Sequence, residues 1–212
     1  MITLNDVSKV IHDHVIFEHV TMNLKEGQIA GFIGSNGSGK TMRMRILSGL
    51  ADPTEGNLLV DGKQKNRHKE LLYDMGVIIE TPRFFDAMTG YQNLCQLAEI
   101  KKRIDQKTIR ETMNKVGLEY QDNKRVGQYS LGMKQRLGIA QAIMEDPEVL
   151  ILDEPTNGLD NEGIIMVHTL LKEEKEKGKI IIISSHHKED INDLCDCIYL
   201  FEGGHVQCIK ES

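Results

Sequence analysis

The sequence predicts an α/β protein: a core built on a parallel sheet, a β-rich N-terminal region and an inserted α-helical lobe. Three observations carry this reading. The runs at 149–152 and 180–184 are apolar at almost every position, the pattern of parallel strands covered on both faces. A glycine-rich turn, Gly34-Ser35-Asn36-Gly37-Ser38-Gly39, stands between an apolar strand and a helical segment. From about Pro82 to Glu145 strand candidates vanish and helical spacing takes over, and alternation of strands and helices resumes after Pro147. The chain is expected to form one domain, its core from about 1–81 and 146–212 and its lobe from about 82–145.

Each element has its own signal. Residues 2–7, 15–24 and 28–33 read as strands, the second by its alternation, and Lys25-Glu26-Gly27 turns between the last two. A helix follows Lys40, ends near Ser48-Gly49 and is cut off by Asp52-Pro53. Residues 57–60 form a strand closed by the turn Asp61-Gly62, and 76–79 form another. The lobe holds helices at 90–102, 105–116 and 131–143. Beyond it come the strand at 149–152, a helix at 162–177, the strand at 180–184 and a short helix at 188–194. A hairpin of 198–201 with 205–209 around Gly203-Gly204 closes the series. KEEKEKGK at 172–179 reads as the wet end of a helix.

Bulk properties narrow the class. With 212 residues and 40% hydrophobic content, the chain can bury a sizeable core. Its formal net charge of -6 argues against a nucleic-acid partner, so the basic run at 63–69 is read as a solvated loop. Cys95, Cys195, Cys197 and Cys208 lack zinc-type paired spacing and read as small packed side chains. MITLNDVSKV carries no apolar signal-peptide core, and no stretch reaches the length of a membrane helix. The expected location is the cytosol.

Gly34 to Thr41 matches the phosphate-loop spacing GxxxxGK[ST] in its required strand–loop–helix setting. Glycines let the backbone curl until its N–H groups converge on phosphate oxygens, and the following helix adds a favourable dipole. Lys40 should reach the β- and γ-phosphates, and the Thr41 hydroxyl should ligate magnesium. The core is therefore that of a P-loop NTPase.

Val149-Leu150-Ile151-Leu152-Asp153-Glu154 is an apolar strand ending in two acids, at the strand end where α/β proteins bind ligands. Asp153 is placed to hold magnesium, directly or through water. Glu154 is placed to polarise an attacking water as general base. A helix-capping acid is the plainer reading of such a pair, and the P-loop upstream weighs against it.

Tyr129-Ser130-Leu131-Gly132-Met133-Lys134-Gln135-Arg136 resembles the LSGGQ signature of ABC ATPases with its usual KQR extension. Asp153-Glu154-Pro155-Thr156-Asn157-Gly158-Leu159-Asp160 resembles that family's Walker B and D-loop, and Ser184-Ser185-His186 its switch-histidine segment. The motifs stand in the family's order across essentially the whole chain. The resemblance implies the ABC ATPase fold, with an antiparallel β subdomain at the N-terminus. It gives His186 a γ-phosphate contact; the adjacent His187 competes, but the motif register favours His186. Ser130 can cap its helix and Gly132 permits close backbone approach. In the family this helix start completes the ATP pocket of a second subunit, a homodimer partner or a related chain.

Three departures stand out. Leu131 and Met133 replace the usual glycine and glutamine of the signature. The adenine-stacking aromatic of the family is absent near Ile11, where the chain offers Ile11 and His12. Glu80, in Val77-Ile78-Ile79-Glu80-Thr81-Pro82, occupies the place of the family's Q-loop glutamine. A carboxylate there can ligate magnesium more strongly, take part in catalysis or coupling, or reflect tolerated drift. With YSLGMKQRL it resembles the exporters that remove lantibiotics and bacitracin.

The resemblance implies an ATPase that dimerises on ATP and Mg²⁺ and drives a separate membrane permease, held by it at the inner face of the membrane. Exporters of ions, lipids or haem, and soluble non-transport ABC ATPases, are the alternatives. Phe84-Phe85 reads either as a permease contact or as packing inside the lobe.

Overall fold

The computed structural model describes residues 1–35, 37–64 and 74–211, so Asn36 and all of the basic run beyond Gln64 lie outside the described residues. The chain opens with β1 (Ile2–Ile11), β2 (His14–Leu24), β3 (Gln28–Gly34), α1 (Lys40–Leu47), β4 (Glu55–Val60), β5 (Lys63–Gln64) and β6 (Met75–Ile78). Helices follow: α2 (Gly90–Lys101), α3 (Gln106–Lys115), a short 3-10 turn at Val126–Gln128, and α4 (Leu131–Ile143). Then come β7 (Val149–Asp153), α5 (Asn161–Glu176), β8 (Ile180–Ser184), α6 (Lys188–Leu194), β9 (Cys197–Glu202) and β10 (His205–Lys210).

The strands divide between two sheets. An antiparallel sheet runs β2-β1-β4-β5, and the main sheet runs β10-β9-β3-β8-β7-β6. The four pairings from β9 to β6 are parallel, and β10 closes one edge antiparallel to β9.

The unbroken apolar runs follow from period-two geometry with both faces covered. Ile180 and Ile182 of β8 enter a cluster with the antiparallel sheet and with Met44, Ile46 and Leu47 of α1. Ile181 and Ile183 enter a second cluster with α4, α5 and the lobe helices. Each isoleucine is at most 2% exposed, which is worth about 1.5–3 kcal/mol per side chain. The lobe helices share that second cluster with the sheet, through Leu94, Ile109 and Leu137.

Register positions the site. Phe32 of β3 and Asp153 of β7 both pair beside Ser184 of β8. The carboxyl ends of these three strands lie side by side, the place where parallel α/β sheets present ligand-binding loops.

The structure departs from the sequence reading at two strands. β1 runs on to Ile11 because Asp6 (φ 51°) and His19 (φ 53°) adopt left-handed backbone near register shifts. Those bulges interrupt the alternation that sequence periodicity depends on. β5 is two exposed polar residues joined to β4 by the Asp61-Gly62 turn, both with positive φ, and so carries no apolar signal.

Candidate nucleotide site

The P-loop connects β3 to α1 as read. Gly39 caps the helix with φ 86°, a left-handed conformation that glycine adopts without side-chain strain. Ser38 N–H donates to Ser35 O at 3.2 Å, and Lys40 Nζ donates to Gly34 O at 2.6 Å and Ser35 O at 3.0 Å. The loop therefore curls around the lysine ammonium at the positive end of α1. A cavity of about 340 Å³ is lined here by Gly37, Ser38, Lys40, Thr41, Asp153 and Glu154, among others. Of the residues read as phosphate, metal and catalytic contacts, Gly37 to Thr41, Asp153 and Glu154 are thus brought to one place.

Thr41 Oγ1 stands 3.4 Å from Asp153 Oδ2, while Ser184 Oγ donates to Asp153 Oδ1. A hydroxyl and a carboxylate beside a phosphate loop are the hard oxygen donors Mg²⁺ prefers, so this pair fits the ion. Among the described residues no group of three His, Cys, Asp or Glu offers another metal site.

Glu154 sits one residue past β7 with φ 50°, an unfavourable conformation for a side chain with a Cβ. Its neighbours fix it. Glu154 N–H donates to Ser184 O at 3.1 Å and Ser184 Oγ at 3.2 Å, and buried Gln135 of α4 donates to both Glu154 O and Pro155 O at 3.1 Å. The carboxylate accepts from His186: Oε2 lies 2.7 Å from Nδ1 and 3.3 Å from the backbone nitrogen. The neighbouring His187 instead stacks on His186, with ring centroids 4.1 Å apart, and precedes α6.

Behind this pair lies a buried network that the sequence reading did not single out. Asp190 of α6 is 3% exposed and accepts from Thr156 Oγ1 (2.6 Å) and Ser185 Oγ (2.8 Å), with His168 Nε2 at 2.8 Å. Burial pushes the Asp190 carboxyl up, but these three partners outweigh it and hold it below its ordinary range.

Glu80 is placed elsewhere than on the metal pair. Its carboxylate is taken by Arg45 of α1 at 2.6 Å, an ion pair with both side chains partly in solvent. Arg45 lies one helical turn beyond Thr41. Ile11 is half-buried at the β1–β2 turn; the hairpin residue that approaches the P-loop is Ile16, whose Cγ2 would stand 3.2 Å from a Cβ on Gly39.

The signature region forms a second cavity of about 490 Å³, lined by Ser130, Gly132, Met133, Arg136, Gly158 and Asp160, among others. It shares no lining residue with the P-loop cavity. Ser130 caps α4 by accepting from Met133 N–H at 3.2 Å. A Cβ on Gly132 would come within 2.8 Å of Gly158 O, so glycine is what lets the helix start lie against that loop. Leu131 remains 55% exposed beside it. Phe84 packs partly into the core, whereas Phe85 is 66% exposed.

Comparison with known proteins supplies the family. The model of the ABC transporter family matches residues 17–157. An uncharacterized ABC transporter ATP-binding protein of Bacillus subtilis, YybJ, is 42% identical over 207 residues, covering 98% of this chain and 95% of that protein. The bacitracin transport ATP-binding protein BcrA of Bacillus licheniformis is 42% identical over 210 residues, covering 96% of this chain and 67% of its own length. Among solved structures, cbiO1 of Clostridium perfringens, part of the ABC transporter complex cbiONQ, superposes with a TM-score of 0.83 at 27% identity, over 97% of this chain and 86% of that one.

Proposed function

The chain belongs to the ABC transporter family as an ATP-binding subunit, and we propose that it hydrolyses ATP to drive export of peptide antibiotics through a membrane permease. The observation that carries the chemistry is Glu154, aimed from the end of β7 beside the P-loop and gripped by His186 at 2.7 Å.

In this reading the P-loop N–H groups and Lys40 hold the phosphates of ATP. Glu154 accepts a proton from the water that attacks the γ-phosphorus, and the P–O bond to ADP breaks. His186 orients the Glu154 carboxylate and the water. Thr41 and Asp153 would hold Mg²⁺, which supplies neutralisation of phosphate charge when bound. Ser130 and Gly132 serve the pocket of a second copy or a related chain. Separation of the signature and P-loop cavities supports that division, since neither cavity contains the other's residues.

A ligand shifts a conformational equilibrium only by preferring one state. ATP that touches the P-loop of one subunit and the signature of another prefers the closed pair, and hydrolysis removes the preference. The permease would sense this through the lobe, with exposed Phe85 and the Glu80 loop at its edge, holding the subunit at the inner face of the membrane. Among the described residues no helix is long and apolar enough to cross a membrane.

The cargo assignment rests on the relative that transports bacitracin and on Glu80 at the Q-loop position. Ion, lipid or haem export is the second reading, because the permease selects the cargo. Deleting the gene should lower tolerance to at least one peptide antibiotic in a panel of bacitracin and several lantibiotics. Unchanged survival across that panel would remove the cargo assignment and leave the ATPase assignment standing.

A further inference from the structure

Arg43 is the largest fully buried side chain among the described residues, at 0% exposed, and no described carboxylate pairs with it. It stands on the inner face of α1, three residues past Lys40. Its guanidinium carbon lies 4.0 Å above the Phe17 ring of β2 and 4.3 Å from the Phe201 ring of β9. Nη1 donates to Ser38 O in the P-loop at 2.7 Å, and Nη2 donates to Gly204 O in the β9–β10 turn at 3.3 Å. Nε makes no hydrogen bond.

A buried cation held only by carbonyls and ring faces is an expensive choice. Desolvation lowers the Arg43 pKa to about 10, still far enough above neutral for the charge to persist. Replacement of buried ionic groups by apolar residues of similar volume is often neutral or stabilising, so packing alone does not account for arginine between two phenylalanines. What arginine adds is a rigid fork and a positive charge. One prong fixes the Ser38 carbonyl, and the same peptide plane turns the Gly39 N–H in the opposite direction. The charge lies directly behind a loop built to receive anions.

We propose that Arg43 is a positioning residue for nucleotide binding: its fork sets the Ser38–Gly39 peptide, and the phosphates of the bound nucleotide offset its otherwise uncompensated charge. This rests on the P-loop being the ATP site. The geometry predicts opposite signs for two measurements on one variant. Arg43→Met, which fills the space between Phe17 and Phe201, should melt at the native temperature or above it without nucleotide. The same variant should bind MgATP about tenfold more weakly, the scale of one charge-assisted hydrogen bond. Loss of affinity for ADP should be smaller, because fewer phosphate charges face the site.

The test titrates native and variant full-length chains with fluorescent ATP and ADP analogues and records melting with and without MgATP. Native-like MgATP affinity in a folded Arg43→Met chain overturns the proposal, as does an equal loss for ATP and ADP. If Arg43→Met does not fold, Arg43→Lys decides: it keeps the charge and loses the fork, so about threefold weaker MgATP binding is expected, and unchanged binding overturns the proposal. Failure of the native chain itself to bind MgATP would instead strike the P-loop reading.

Discussion

Glu154→Gln is expected to bind MgATP as tightly as the native chain and to hydrolyse it about 10²–10⁴ times more slowly, the range for loss of a general base. The substitution is isosteric. Its amide oxygen can still accept from the His186 backbone, and the backbone of residue 154 keeps its bonds to Ser184 and Gln135. Only the proton acceptor is removed. Because ATP binding is retained while its cleavage is not, the paired state should accumulate, visible as a dimer on gel filtration in MgATP. Phosphate release measured at saturating MgATP checks the rate. Turnover within about threefold of native would show that another group takes the proton.

Why this residue was legible from sequence while its supports were not is a matter of where the constraint acts. The P-loop and the Asp153-Glu154 pair are local: phosphate geometry fixes glycine, lysine and threonine at set spacings along one stretch of chain. Strands such as β8 were equally readable, because two-sided burial leaves a continuous apolar run. The supports are set by tertiary contact. Asp190 looks like a polar residue of a short helix until α6 folds onto Thr156, Ser185 and His168. Gln135 lies in the motif segment, yet nothing local says that it holds the turn beyond β7.

Arg43 left a faint trace. It shares i+3 and i+4 spacing with Ile46 and Leu47, so it falls on the apolar stripe of α1 rather than on the wet face with Arg45. Glu80 shows the converse limit. Its position in the chain leaves metal binding, catalysis and coupling open, and the side chain pairs with Arg45, whose proximity only the packed helix establishes.

Asp190→Ala is expected to carry the largest stability loss of any single site substitution here. It leaves the Thr156 and Ser185 hydroxyls and the His168 ring facing a dry space with no acceptor, which costs about 3–5 kcal/mol. For a chain of this size that lowers the melting temperature by about 10 °C. Hydrolysis should fall as well, because Ser185 anchors the segment that presents His186 to Glu154.

The carboxylate's contribution also has a definite pH dependence. Folding depresses the Asp190 pKa, so its stabilisation is present above the ordinary carboxylate range and is lost as pH falls through the lower folded value. Asp190→Asn cannot titrate. The gap in melting temperature between the native chain and Asp190→Asn should therefore be widest near neutrality and shrink from about pH 5 downward. A gap that stays constant from neutral pH to about pH 3 would mean that shape, not charge, is what the network requires of this position.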